Sequence, residues 1–343
     1  MLQIPASILR IGILVLVITL VMPLTAVAAK DHIGKIRIAV TRYIGDAHNF
    51  IARELGLFKR HGLNAKLVIN QTGLESVRQL LRQEVDFAMI TPTPVIFSAF
   101  DPKFFLKGPD PDPDYVIIAN LMQSSSLNSV VVRADRKITQ PKDLAGKRLA
   151  MKLGTGSEYY WQAYSVYHGI DRKKVQVVDA KIKDIANLLK SGAVDGFTIW
   201  DPVTDKIRKQ VTFPTLVLPE QKLYSNGRLV IVRKDFAQQH GDLVEHYLNA
   251  IYDAESILQK DFIQSTGIMA KKIGVTEAGV RYMQNKMTFN LSLDESLLFN
   301  FSEQAKWARR TKYQDHKQLP DFRKLLYANP LAAIKPGGVN FIN

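Results

Sequence analysis

The chain has 343 residues, is 46% hydrophobic and contains no cysteine. It is long enough for one large two-lobed domain or two ordinary ones, and the absence of thiols excludes disulfides, thiolate metal sites, a cysteine nucleophile and the lipidated cysteine of a bacterial lipoprotein. The formal charge of +14 comes from 46 Lys and Arg against 32 Asp and Glu, but the bases are scattered and no aromatic–basic ribonucleoprotein pattern occurs, so a solvated basic surface is expected and nucleic acid is not.

Residues 8–21 form an almost unbroken apolar run with Arg10 as the one charge, followed by Pro23 and the small-residue pattern Ala26-Val27-Ala28-Ala29. A run too short to span a bilayer comfortably, ending in a cleavage-type pattern, favours a signal peptide over 1–29 and a soluble, exported mature chain, with an uncleaved membrane anchor as the alternative.

Residues 35–41 alternate Ile36, Ile38 and Val40 and predict a strand with one buried face. The loop after it carries Tyr43, Asp46 and His48, at the carboxyl end of a strand where ligands gather in open α/β sheets. A helix is expected over 49–59 and a strand over 65–69. Thr72 precedes Leu74, Val77, Leu80 and Leu81 at helical spacing, with Glu75 three residues on, which fits a capping box. A strand over 85–90 runs into Thr91-Pro92-Thr93-Pro94, where Pro94 suits the first turn of a helix over 95–100 and leaves Thr91 and Thr93 near its N-terminus. A Pro/Asp-rich turn follows over 109–114. Strands are expected over 115–121 and 130–133, with a small polar segment between them.

The middle of the chain is the most informative. Asp143-Leu144-Ala145-Gly146-Lys147-Arg148-Leu149-Ala150 leads through a short strand to Gly154-Thr155-Gly156-Ser157, then a helix over 158–168 that carries Tyr159. A helix over 182–190 and a strand ending in Trp200-Asp201-Pro202 complete the series. A helix N-terminus with free N–H groups and small hydroxyl side chains is a ready anion site. After a strand over 215–218 comes Tyr224-Ser225-Asn226-Gly227, then a strand over 229–232. The tail reads as mostly helix: Leu243, Tyr247, Ile251, Ala254 and Leu258 form an apolar stripe, Thr276 and Ser292 look like helix or turn starts, and 329–343 is expected to be partly disordered.

This ordered series resembles the solute-binding proteins of ABC importers, nitrate/sulfonate/taurine type, a family that also includes thiamine-pyrimidine-precursor binders. The resemblance covers residues 35 to 258. It implies an α/β, two-lobed periplasmic-binding-protein fold (type II), with a cleft between lobes joined by two crossovers. The implied division is signal peptide 1–29, first lobe 30–125, inserted second lobe 126–226, and 227–343 returning to the first lobe with a helical tail. It implies ligand contacts from Tyr43, Asp46, His48, Thr72, Thr91, Thr93, Gly154, Thr155, Ser157, Tyr159, Trp200, Asp201 and Asn226. Capping alone competes with contact at Thr72, core packing with contact at Trp200, core or helix-surface placement with contact at Tyr159, a surface or helix-start role with contact at His48, and helix capping with contact at Asp201.

The expected function is capture of a small solute in the periplasm and delivery to an inner-membrane permease with its cytoplasmic ATPase, by a monomer that is not an enzyme and takes no cofactor or metal. The solute is a sulfonate, nitrate or related oxyanion, with a zwitterion or an uncharged heterocycle left open by Asp201. The seven His show no metal-ligand spacing, and no G-x-S-x-G elbow, complete dinucleotide fingerprint or P-loop lysine occurs. The alternatives are a sensor that presents ligand occupancy to a membrane signalling protein, and an enzyme on the same fold such as a thiamine-pyrimidine synthase.

Overall fold

The structure, a computed structural model, describes residues 34–106, 114–221, 223–316 and 318–341. The expected leader and all but the last residue of the Pro/Asp-rich turn lie outside the described residues. The strands are β1 (Gly34–Thr41), β2 (Leu63–Asn70), β3 (Phe87–Ile90), β4 (Tyr115–Ser124), β5 (Asn128–Arg133), β6 (Arg148–Met151), β7 (Gln176–Asp179), β8 (Gly196–Trp200), β9 (Thr215–Val217), β10 (Asn226–Arg233), β11 (Thr288–Asp294) and β12 (Val339–Asn340). They form two sheets, ordered β12-β11-β4-β10-β3-β1-β2 and β7-β6-β8-β5-β9. Each has a parallel trio, β2-β1-β3 or β7-β6-β8, continued by an antiparallel strand, β10 or β5. The two sheets are the centres of two lobes, and the chain passes between them after β4 and again before β10.

Both trios are pinned the same way. Arg37 on β1 and Arg148 on β6 each clasp the acid that precedes the third strand of the trio. The Arg37 backbone N–H donates to Asp86 Oδ2 at 2.7 Å, its Nη2 to Oδ1 at 2.9 Å and its Nε to Oδ2 at 3.3 Å. The Arg148 N–H donates to Asp195 Oδ2 and its Nη2 to Oδ1, both at 2.9 Å, and its Nε to Oδ2 at 3.2 Å. A carboxylate that takes one backbone and two side-chain donors fixes the register of the parallel pair at its amino end. The carboxyl ends are left for loops, and the sheets present those ends to one cleft.

Several elements differ from expectation. The helix expected over 49–59 is two, Ala47–Glu54 and Leu57–Arg60, because Gly56 between them takes φ +69°, a left-handed conformation open to glycine. The helix after β3 starts earlier than expected, at Pro92, so Pro92 takes its first position while Pro94 still lies in the first turn as expected. Ser292 starts nothing; it lies inside β11, which the tail's helical pattern conceals, and the next helix, Glu295–Thr311, is capped by Asp294 accepting from the Leu297 N–H. Thr276 does cap a helix, Glu277–Gln284. Residues 329–341, expected to be partly disordered, form the helix Asn329–Ile334 and β12, which pairs with β11. Leu331 is fully buried there, so burial supplies the order that local helix signals do not.

Candidate functional site: a donor-rich cleft between the lobes

A cavity of about 250 Å³ lies between the carboxyl ends of the two parallel trios. The first lobe contributes Thr41, Arg42 and Tyr43 after β1, Asn70 to Gly73 after β2, Thr91 after β3, and Asn226 and Arg228 from the start of β10. The second contributes Asn128, Thr155, Gly156, Ile182, Lys183, Trp200, Val203, Lys206, Ile207 and Gln210.

Its floor is an ion pair. Arg228 is 3% exposed and Asp46 is fully buried. Arg228 Nε donates to Asp46 Oδ1 at 2.5 Å and Nη2 to Oδ2 at 2.7 Å, and Nη2 also reaches the Thr41 hydroxyl oxygen at 3.0 Å. The Thr41 N–H and hydroxyl both donate to the same carboxylate, at 2.6 and 2.9 Å. This bidentate geometry fixes the guanidinium plane. It uses Nε and Nη2 and leaves Nη1 with no hydrogen bond among the described residues. The guanidinium also lies over the Tyr43 ring, 5.4 Å from its centroid. The Tyr43 hydroxyl is buried near Asn226 with no hydrogen bond of good geometry among the described residues, and burial, above the other influences on it, holds it protonated and able to donate.

Other donors face the same space. Thr72 accepts from the Glu75 N–H with its hydroxyl oxygen, which leaves the O–H free to donate. Thr91 caps its helix with no side-chain bond at all. Asn226 accepts from the Tyr224 hydroxyl through Oδ1, which directs its amide N–H₂ elsewhere. On the second lobe, Lys206 bonds the Ile273 carbonyl of the first lobe at 3.1 Å, and burial together with the nearby Arg42 guanidinium lowers its ammonium below the usual lysine range. Arg42, Lys183 and Lys206 therefore bring three cations to the cavity beside the Asp46-paired Arg228, and no carboxylate among the described residues lines it. Trp200, Ile182, Val203, Ile207 and Ile69 give one part of the wall an apolar character.

The thirteen residues expected at the site divide. Tyr43, Thr72, Thr91, Thr155, Trp200 and Asn226 come together at the cavity. Thr155 does so with its hydroxyl occupied: it donates to the Lys152 carbonyl at 2.7 Å and accepts from the Ser157 N–H at 3.3 Å, so what it turns to the cleft is a helix N-terminus more than an alcohol. Asp46 lies one layer beneath, as the partner of Arg228. Gly154 and Ser157 flank Thr155 without reaching the cavity. Gly154 takes φ +77°, which strains any side chain there, and backs onto Phe104, where a Cβ would stand 3.3 Å from the ring and crowd it by a few tenths of an ångström. Ser157 is fully buried with an unpartnered hydroxyl.

Four are placed away from it. Thr93 donates to Gln304 at 2.7 Å, tying the β3 helix to the tail. Tyr159 packs edge-on against Tyr224 and Trp307, at 5.0 and 5.2 Å between ring centroids, in a second hollow at the crossover. His48 is fully buried beside Phe289 with neither ring nitrogen bonded, not at the surface, and burial lowers it to about 3, so it is a neutral core group. Asp201, the residue after Trp200, is buried outside the cavity lining, and burial raises it to about 6 despite the opposing charge of Lys286.

Sequence reading missed Arg228, Arg42, Asn70, Gln71, Asn128, Lys183, Lys206 and Gln210. Arg228 had a signal: in Asn226-Gly227-Arg228-Leu229-Val230-Ile231-Val232 a charge sits in a strand with no room for solvent, and a buried arginine demands a buried acid. The two lysines had none, because exposed lysines occur throughout the chain.

This combination defines a class of fold: two α/β lobes facing one cleft lined by the loops at their strand ends, the two-lobed periplasmic-binding-protein architecture. Comparison with known proteins makes the assignment particular. The family described as NMT1/THI5 like matches residues 47–261, and the chain belongs to it. A Bacillus subtilis (strain 168) protein provisionally named an aliphatic sulfonates-binding protein is 25% identical over 299 residues, 84% of this chain and 86% of the relative. The taurine-binding periplasmic protein of Escherichia coli (strain K12) is 26% identical over 139 residues, 39% of this chain and 42% of that protein. Among solved structures, the alkanesulfonate-binding protein SsuA of Xanthomonas axonopodis pv. citri, bound to MOPS, superposes with a TM-score of 0.69 at 14% identity, covering 86% of this chain and 98% of that one. The periplasmic aliphatic sulphonate binding protein SsuA of Escherichia coli gives 0.68 at 17%, covering 85% and 92%. The fold is also that of an enzyme, the desulfurization enzyme DSZB, at a TM-score of 0.64 and 15% identity, covering 89% and 99%. The periplasmic-binding-protein fold expected from sequence is the one observed.

Proposed function

We propose that this chain is the extracytoplasmic substrate-binding component of an ABC importer, and that it closes its cleft on an organic oxyanion, a sulfonate, and delivers it to a membrane permease. One observation carries the reading: three cations without a carboxylate partner among the described residues (Arg42, Lys183 and Lys206), the Asp46-paired Arg228 and a set of uncommitted O–H and N–H donors converge on the cavity, and no carboxylate among the described residues lines it. A sulfonate needs several donors directed at one small, dispersed negative charge. Arg228, held by Asp46, meets that need from the floor, and the Thr155–Gly156 helix start from the side. Trp200 and the neighbouring aliphatic side chains suit an organic body better than a bare ion. An ammonium on the ligand finds no anion in the lining, which disfavours a taurine-like zwitterion.

Binding is favoured over catalysis. A DSZB structure with biphenyl-2-sulfinic acid is of a cysteine-to-serine variant, and this chain has no cysteine to fill such a role. Residues 126–225 act as the inserted lobe, one residue short of the expected boundary because Asn226 already pairs in β10 of the first sheet, and they hinge at the two crossovers when ligand enters. The apolar leader directs export, and the mature chain works as a periplasmic monomer. Native mass spectrometry of protein purified without refolding, in a buffer free of sulfonates, tests the reading. A retained organosulfonate is expected; a retained cation or neutral heterocycle would overturn it.

A further inference from the structure

Beside the cleft mouth lies a second, open groove of about 780 Å³. Arg42, Arg53, Lys66, Lys271 and Lys272 line it, with Glu54 as the sole acid among the described lining residues. The Lys272 ammonium meets the Glu54 carboxylate at 2.6 Å, which cancels both charges. Arg42, Arg53, Lys66 and Lys271 remain, all exposed and none with a carboxylate partner among the described residues. Groove and cleft are continuous, since Arg42 and Ile69 line both.

Each cation taken singly has a local use. Arg53 and Lys271 stand in the last turns of their helices, where a positive charge faces the carbonyl end. Lys66 is on β2, the edge strand of its sheet, where a lysine discourages pairing with another chain. Those uses account for one cation at each position. They do not account for four unpaired cations converging on a groove that opens into an anion-seeking cleft. Like charges so placed repel one another, and surface groups of one sign along a concave wall raise the local concentration of a counter-charged solute and its association rate.

We propose that this groove is an approach lane for the anionic solute. Arg53, Lys66 and Lys271 steer it to Arg42, which hands it to the cleft, and they act on association and not on the bound complex. The inference rests on the anion reading of the cleft but asks a separate question, rate instead of equilibrium contact.

The test is stopped-flow binding of hexanesulfonate to the mature chain in Tris buffer, read through the fluorescence of Trp200 in the cavity wall. A triple variant, Arg53→Gln, Lys66→Gln and Lys271→Gln, leaves every cavity residue in place. At low ionic strength its association rate constant is expected to fall about tenfold with the dissociation rate unchanged. The difference should vanish near 1 M salt, where the screening length is about 3 Å. An unchanged association rate at low salt overturns the lane, as does a loss confined to adhesion on phosphatidylglycerol vesicles, which would make the groove a membrane contact. A fall in rate with an equal rise in dissociation also overturns it, because these residues would then be part of the bound site. If the unsubstituted chain takes no sulfonate at all, the anion reading of the cleft fails first and the lane falls with it.

Discussion

The two lobes are built alike at one end and differently at the other. At the amino ends of their strands they carry the same device, an arginine clasping the acid before the third strand, with similar distances in Arg37–Asp86 and Arg148–Asp195. At the cleft ends each has a buried carboxylate, and there the likeness stops. Asp46 of the first lobe is saturated by Arg228 and Thr41. Asp201 of the second is raised to about 6 by burial, with no comparable partner. The shared device holds a sheet together and carries no solute chemistry. The unshared ends carry the proposed site: the first lobe supplies a fixed guanidinium, the second a helix start, a tryptophan and lysines.

The largest expected effect breaks the first lobe's pair. Arg228→Met leaves Asp46 buried without its cation and should destabilise the protein by about 3–5 kcal/mol, read by urea unfolding. Sulfonate binding should be lost as well. An unfolding midpoint within error of the original would mean that the floor does not depend on this pair.

The second lobe should respond in the opposite direction. An acid raised in the folded state keeps its proton between the ordinary value of 3.8 and about 6 while the unfolded chain loses it. The folded state then binds more protons in that window, so stability falls as pH rises through it, and the penalty is complete above about pH 6. Across a window of that width the penalty accumulates to about 3 kcal/mol. Asp201→Asn removes that penalty, so the variant should match the parent near pH 4 and exceed it by about 2–3 kcal/mol at pH 7. His48, lowered to about 3, acts with the opposite sign: its folded form resists protonation, so stability is lost as pH falls below the ordinary histidine value of about 6.5. The difference between variant and parent isolates Asp201, because His48 is common to both. A gain already complete at pH 4 would contradict the account.

Smaller effects sharpen the contrast at the cleft itself. Lys206→Gln and Lys183→Gln each remove a cation facing the solute and should weaken sulfonate binding by about 1.5 kcal/mol or more for whichever bonds it directly, with little change in folding. Calorimetric titration reads this, and unchanged affinity in both would remove the second lobe's lysines from the site. Thr155→Val should cost about 1 kcal/mol of stability through the lost cap and reduce affinity less than either lysine change. Its hydroxyl proton already goes to the Lys152 carbonyl. A larger loss of affinity than of stability would show that the hydroxyl turns to the ligand.

The same contrast explains what could be read in the sequence. Strand periods, the Thr72 cap and the Gly154–Ser157 turn are local patterns, and they located the strand ends that meet at the cleft. β11 and β12 were hidden because their order comes from pairing with each other and with β4, at a separation no local window spans. Among site residues, those at helix starts were legible by position. Asp46 and Arg228 are 182 residues apart, so the pairing that turns one into a scaffold and the other into the floor had no local signature. Asp201 was legible as an acid after a strand, but its burial outside the cavity lining is a matter of packing.

The most direct test is a calorimetric titration of the purified chain with hexanesulfonate, taurine and hexylammonium in parallel, in Tris buffer. The donor-rich cleft without a lining carboxylate should bind hexanesulfonate at one saturable site, taurine more weakly, and hexylammonium not at all. Saturable binding of hexylammonium, or taurine bound more tightly than hexanesulfonate, would contradict the anion-seeking cleft at its centre.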